Sequence, residues 1–72
     1  MLYAVSRYYI IGGLAEFEGY VKVFYHSHEA MEYALEQTVA SGESEYFHVE
    51  VMPEEVVYAG GISDLIVPLT ES

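Results

Sequence analysis

The sequence contains no cysteine, and of its 72 residues only Arg7 and Lys22 carry a full positive charge. The first absence excludes disulfides and thiolate metal sites. The second removes the side chains that neutralise phosphate, which disfavours direct nucleic-acid binding and attachment to anionic membranes. Long apolar runs are lacking too. Each is broken within a few residues by Glu, Gly or His, so none reaches the length of a membrane span. The first residues offer no basic region followed by an apolar stretch and a small-residue cleavage site, so no secretory signal is read and a cytoplasmic location is expected.

Against these absences stand eleven Glu and one Asp, for a net charge of -10, in a chain that is nonetheless 53% hydrophobic and 15% aromatic with eight Tyr. A disordered acidic tail would not carry that apolar content, so the chain is expected to fold. Its length fits one small domain, residues 1–72, close to the size at which a single core becomes marginal without a partner. The charge opposes compaction by self-repulsion, so either solubility or a basic partner is the reason to keep it.

The hydrophobic pattern predicts a strand from Leu2 to Ile11 that stops at the turn-forming pair Gly12 and Gly13. A second strand, from about Glu16 to Tyr25, completes a hairpin. A period of two places Phe17, Val21, Val23 and Tyr25 on one face and Glu18, Tyr20, Lys22, Phe24 and His26 on the other. Ser27 occupies the expected N-cap of a helix whose buried stripe is Ala30, Met31, Ala34, Leu35, Thr38 and Val39, with Gly42 closing it. Alternation returns from Glu45 to Met52 as a third strand ended by Pro53. Val56 to Tyr58 and Leu65 to Val67 are expected as short strands. The fold class is therefore α+β, a small antiparallel sheet of three to five strands with one helix on one face, built on a ββαβ core.

The first strand is apolar on both faces, which suits the centre of the sheet. One helix covers one face only. The other is expected to expose Tyr20, Phe24 and Tyr46, with Tyr3 or Tyr9, as a homodimer interface.

Glu29, Glu32 and Glu36 are spaced to stack along one side of the helix, with Glu43 and Glu45 just beyond its end. Like charges at this spacing cost a helix about 0.2 to 0.5 kcal/mol per pair. A second cluster is expected from Glu16 and Glu18 with Glu54 and Glu55. Together these acids are read as the surface that binds a basic, nucleic-acid-binding partner protein; the alternative is a solvated surface on a homo-oligomeric structural module whose charge serves solubility. His26, His28 and His48 follow no recognised ligand spacing, so neither a metal nor another cofactor is expected, although a small His-based binding domain is the third reading. No nucleophile elbow or phosphate loop occurs, and catalysis is not expected. In profile the chain is similar to small phage-encoded inhibitors that imitate nucleic acid or block a host nuclease complex. That resemblance covers no motif and transfers no residue roles.

Overall fold

β1 (Leu2–Ile11) lies between β2 (Leu14–Phe24) and β3 (Glu45–Met52) in a three-stranded antiparallel sheet of order β2-β1-β3. A central place for the strand with two apolar faces is thus found. The structure is a computed structural model that describes residues 1–69, so the last three residues of the expected domain lie outside the described part. α1 (Ser27–Ala40) joins β2 to β3, and a short helix, α2 (Glu54–Ala59), comes after β3. The α+β class with one main helix holds.

The β1–β2 turn is made by Gly12 and Gly13 alone, at φ 59° and 82°. A two-residue hairpin loop with positive φ at both positions matches the right-handed twist of its strands, and glycine adopts it without strain. Beyond the turn, β2 departs from a strict period of two. Its register moves from Val5 opposite Lys22 to Ser6 opposite Tyr20, and from Arg7 opposite Gly19 to Tyr8 opposite Phe17. Val21 and Glu18 are each an extra residue on β2, and each bulge reverses which side chains face which way. Phe17, Tyr20 and Val23 therefore share one face, whereas alternation had placed Tyr20 with Phe24.

Two small cores result, one on each side of the sheet. Under α1, Ala30 and Ala34 approach Val5, Phe24 and Phe47. The missing bulk of alanine lets the helix lie close on the strands. On the other side Leu2, Ala4, Val23 and Met52 are closed by Val57 of α2, with Ile62, Leu65 and Ile66 packed around them.

Several expectations are corrected here. Val56 to Tyr58 is not a strand but part of α2, because Pro53 sits at the N-cap and Glu54 and Glu55 occupy the first turn, where acids suit the helix dipole. Leu65 closes a 3-10 turn over Ser63–Leu65, and Ile66 beyond it makes a single parallel bridge to Val23, with the Val67 N–H donating to the Val23 carbonyl at 2.8 Å. His26, not Ser27, holds the N-cap of α1. The helix is also rotated relative to its expected stripe. Met31, Leu35 and Val39 are 62%, 66% and 72% exposed, and only Ala30 and Ala34 of that stripe are buried.

Candidate functional site

α2 and the segment after it cover only the end of their sheet face near Leu2 and Met52. Among the described residues nothing covers the opposite end of that face. There the register aligns Phe17, Tyr8 and Tyr46 in one row across the three strands and Tyr20, Ser6 and His48 in the next. The rings meet edge to face, with centroids 5.5 Å apart for Tyr8 and Phe17 and 5.4 Å for Phe17 and Tyr20. Tyr46 lies 6.1 Å from Tyr8 and stacks on His48 at 6.3 Å. Ser6, in the middle, is buried and points its hydroxyl at the His48 carbonyl, 3.4 Å away. Such ring geometry adds about 0.5 to 1.5 kcal/mol per pair beyond area burial, so the cluster is ordered even though Phe17 is 55% exposed.

Of the residues expected on an uncovered face, Tyr20 and Tyr46 belong to this cluster and Phe24 does not. Phe24 lies under α1, 8% exposed, with its ring 5.5 Å from that of Tyr33. The reason is the bulge at Val21, which turns Phe24 and Tyr20 to opposite sides. Tyr3 packs against the α1 core, and Tyr9 also lies on the α1 side. Tyr8, Phe17 and His48 were missed as members of the cluster. The signal available for Phe17 was Gly19 inside a strand pattern, a mark of a bulge, and for His48 it was the alternation that it shares with Tyr46 on β3.

Tyr20 donates its hydroxyl proton to Glu50 Oε2 at 3.0 Å. Burial raises the Tyr20 phenol above its ordinary 10.0, and the bond to Glu50 and that carboxylate's charge raise it further.

The acids divide between the two sides of the sheet. Glu29, Glu32 and Glu36 line α1 away from its buried alanines, Glu32 and Glu36 exposed and Glu29 half-buried. Glu43 is exposed just past the helix, and Glu45 begins β3. Glu16 and Glu45 both stand opposite Tyr9 in the register, so Glu16 joins this group on the α1 side. Glu18 is the bulged residue next to it. Glu54 and Glu55 are not with them: they come after Met52, which pairs with Leu2, and the row of Leu2 is about 23 Å along β1 from the row of Tyr9. The expected second cluster is thus two separate pairs. Both cations lie on the α1 side. Arg7 reaches Glu45 at 3.9 Å and sits 5.7 Å from the Tyr9 ring, while Lys22 stands 5.1 Å over the ring of Tyr33. The Arg7 contact is the one ion pair among the described residues, and at that length and exposure it contributes about 0 to 1 kcal/mol.

His26 and His28 stack on one another at 5.7 Å on the surface at the start of α1, while His48 stands apart in the aromatic cluster. Among the described residues no three His, Cys, Asp or Glu side chains are grouped to hold a metal. No helix among them is long and apolar enough to cross a membrane.

The free edge of β3 is the third surface. Antiparallel alternation turns every second residue's backbone groups toward the partner strand and the others outward. Ser44 accepts from the Ile10 N–H at 3.1 Å, so the even-numbered residues of β3 face β1 and the odd-numbered ones face out. Helix α1 lies chiefly over this strand and closes half of its edge. The Phe47 N–H donates to the Thr38 hydroxyl at 3.3 Å, and the Glu45 N–H donates to the Ser41 hydroxyl at 3.3 Å. Past Phe47 the edge borders a groove of about 520 Å³ between Met31, Leu35 and Thr38 of α1 and Phe47, Val49 and Val51 of β3.

No family model, curated protein or solved structure matches this chain.

Proposed function

We propose that the protein works by binding a basic partner protein through the α1 side, in the manner of a nucleic-acid mimic, and not by catalysis. One observation carries this reading. Glu16, Glu29, Glu32, Glu36, Glu43 and Glu45 lie on that side against two cations, of which Arg7 is engaged with Glu45 and Tyr9 and Lys22 with Tyr33. Glu29, Glu32 and Glu36 rise by about 4.5 and 6 Å along α1, a rigid ladder of carboxylates with no basic side chain between them. Glu29 gains from its place in the first turn, but the like-charge pairs Glu29–Glu32 and Glu32–Glu36 cost helix stability and meet no basic side chain on the helix that offsets them. A basic groove that binds nucleic acid supplies the missing counter-charge, with fast association and strong salt dependence.

The test immobilises the full chain and passes cell lysate over it at low salt. Proteins are expected to be retained and then released both by salt and by competing duplex DNA, and E32K/E36K is expected to retain none of them. Retention of the same proteins by E32K/E36K, or bound proteins that duplex DNA fails to displace, would overturn the reading.

A further inference from the structure

From the β3 edge we infer that two copies of this chain pair strand to strand, antiparallel, about a two-fold axis at Val49, joining their sheets into one of six strands. The basic partner plays no part in this pairing, which uses the β3 edge and the Met31, Leu35 and Val39 ridge of α1 and not the carboxylates of that helix.

The backbone groups left open on β3 fit a second β3. With Glu45 bound by Ser41 and the Phe47 N–H by Thr38, the outward groups that remain without a partner among the described residues are the Phe47 carbonyl and both groups of Val49 and Val51. An axis at Val49 sets Val49 opposite its own copy, which exchanges two hydrogen bonds. It also sets Val51 opposite the copy of Phe47, so each Val51 N–H meets a Phe47 carbonyl. Four bonds form, every open N–H is used, and Thr38 keeps the one it already holds. Neighbouring registers do less well. An axis at His48 needs the Phe47 N–H for the opposite Val49 carbonyl. An axis at Glu50 places two carboxylates face to face, which is destabilising in a cross-strand pair.

The side chains agree with that register. On the α1 side Phe47 comes opposite Val51. On the other side His48 comes opposite Glu50, an imidazole donor against a carboxylate, and the pair occurs twice because the axis repeats it. The exposed stripe of α1 gains an explanation. Met31, Leu35 and Val39, four residues apart, form one ridge, and Met31 and Leu35 line the groove that borders the edge. Two copies related by the axis bring these ridges together above the joined strands. An apolar ridge beside an unpaired strand edge is a liability for a chain that stays single and a contact for one that pairs.

Charge sets the sign of the salt response. Each copy carries a net charge of -10, so pairing is opposed by repulsion that salt screens. Salt is therefore expected to tighten the dimer while it weakens any complex with a basic protein, and the two readings can fail separately.

Sedimentation of the full chain at micromolar concentration, at low and high salt, is the test. A dimer is expected, more populated at high salt. L35E is expected to weaken it on the order of tenfold or more with an unchanged circular dichroism spectrum, since Leu35 is exposed in the single chain. H48E is expected to weaken it too, by setting Glu against Glu50, and H48E/E50H to restore it. The chain lacks cysteine, so V49C gives a clean report. Mild oxidation should join two V49C chains, whose α-carbons would lie within disulfide reach at the axis, and should leave V56C on α2 as single chains. A monomer at both salt concentrations would overturn the proposal. So would a dimer that V49C fails to cross-link and Y20C does, because the aromatic face would then be the contact.

Discussion

The hydroxyl of Thr38 accepts the N–H of Phe47 at 3.3 Å while donating its own proton to the Ala34 carbonyl at 2.7 Å. One helix side chain thereby stands in for the neighbour that an edge strand lacks, and it ties α1 to β3 where the two cross. Replacing it by Val keeps the shape and removes the acceptor. T38V is expected to lose about 1 to 2 kcal/mol in urea unfolding, with the Phe47 amide exchanging faster than those of Val5 and Ala4. An unchanged unfolding midpoint and a protected Phe47 amide would show that the bond contributes nothing.

Tyr20 sets a pH limit. Burial, then the bond donated to Glu50, holds its phenol above 10.0 in the folded state. Above that value the unfolded chain has given up a proton that the folded chain still keeps, so the unfolded state gains relative to the folded one. The contribution is complete below the unfolded value and is lost as pH rises through the raised folded one. Unfolding free energy measured between about pH 8 and pH 11 should fall more steeply for the wild type than for Y20F. Equal slopes would remove the Tyr20–Glu50 pair as the cause.

Gly19 lies between the two bulges at φ 148°, a conformation that residues with a β-carbon rarely adopt. No atom lies within 4 Å of where its β-carbon would be, so space is not the obstacle. G19A is expected to cost about 1 to 3 kcal/mol from backbone strain alone, read from the thermal or urea midpoint. A variant as stable as the wild type would mean that the bulged register relaxes freely.

Glu36 offers a test in which stability and binding move in opposite directions. In E36K a cation replaces an acid near the C-terminal end of α1 and stands four residues after Glu32, the favourable order for an ion pair. The variant is expected to gain about 0.5 kcal/mol in stability. Under the proposed function it loses affinity for a basic partner, so an assay that reports both separates a solvated face from a binding one.

The strands, the main helix and the order β2-β1-β3 were legible because β1 is apolar on both faces and its neighbours are not. Other features were hidden for identifiable reasons. Val56 to Tyr58 is too short for its period to show whether it is strand or helix, and only Pro53 with Glu54 and Glu55 after it points to α2. The bulges at Glu18 and Val21 defeat any fixed alternation, which is why Tyr20 was paired with Phe24 and the ring cluster around Tyr8 was not seen. Met31, Leu35 and Val39 look like a core stripe to any count of apolar spacing. Their exposure comes from the helix resting on Ala30 and Ala34, a choice made by close packing that no periodicity reveals. The α1 ladder from Glu29 to Glu36 was legible as spacing, whereas the separation of Glu54 and Glu55 from Glu16 needed the register.

Strand order also governs how the chain assembles. β1 meets β2 across a two-residue turn, but its other neighbour lies roughly 40 residues away, so one side of the sheet forms locally and the other only after a long loop closes. Until then the hairpin is a two-stranded ribbon whose central strand offers one bare edge and two greasy faces to every other nascent copy. That intermediate, more than the finished protein, is the species in danger of clumping. The ribbon has no electrostatic protection of its own, because Glu16 and Glu18 are balanced by Arg7 and Lys22. The charge that repels other copies lies wholly in the residues from Glu29 onward, which are also the ones that complete the fold.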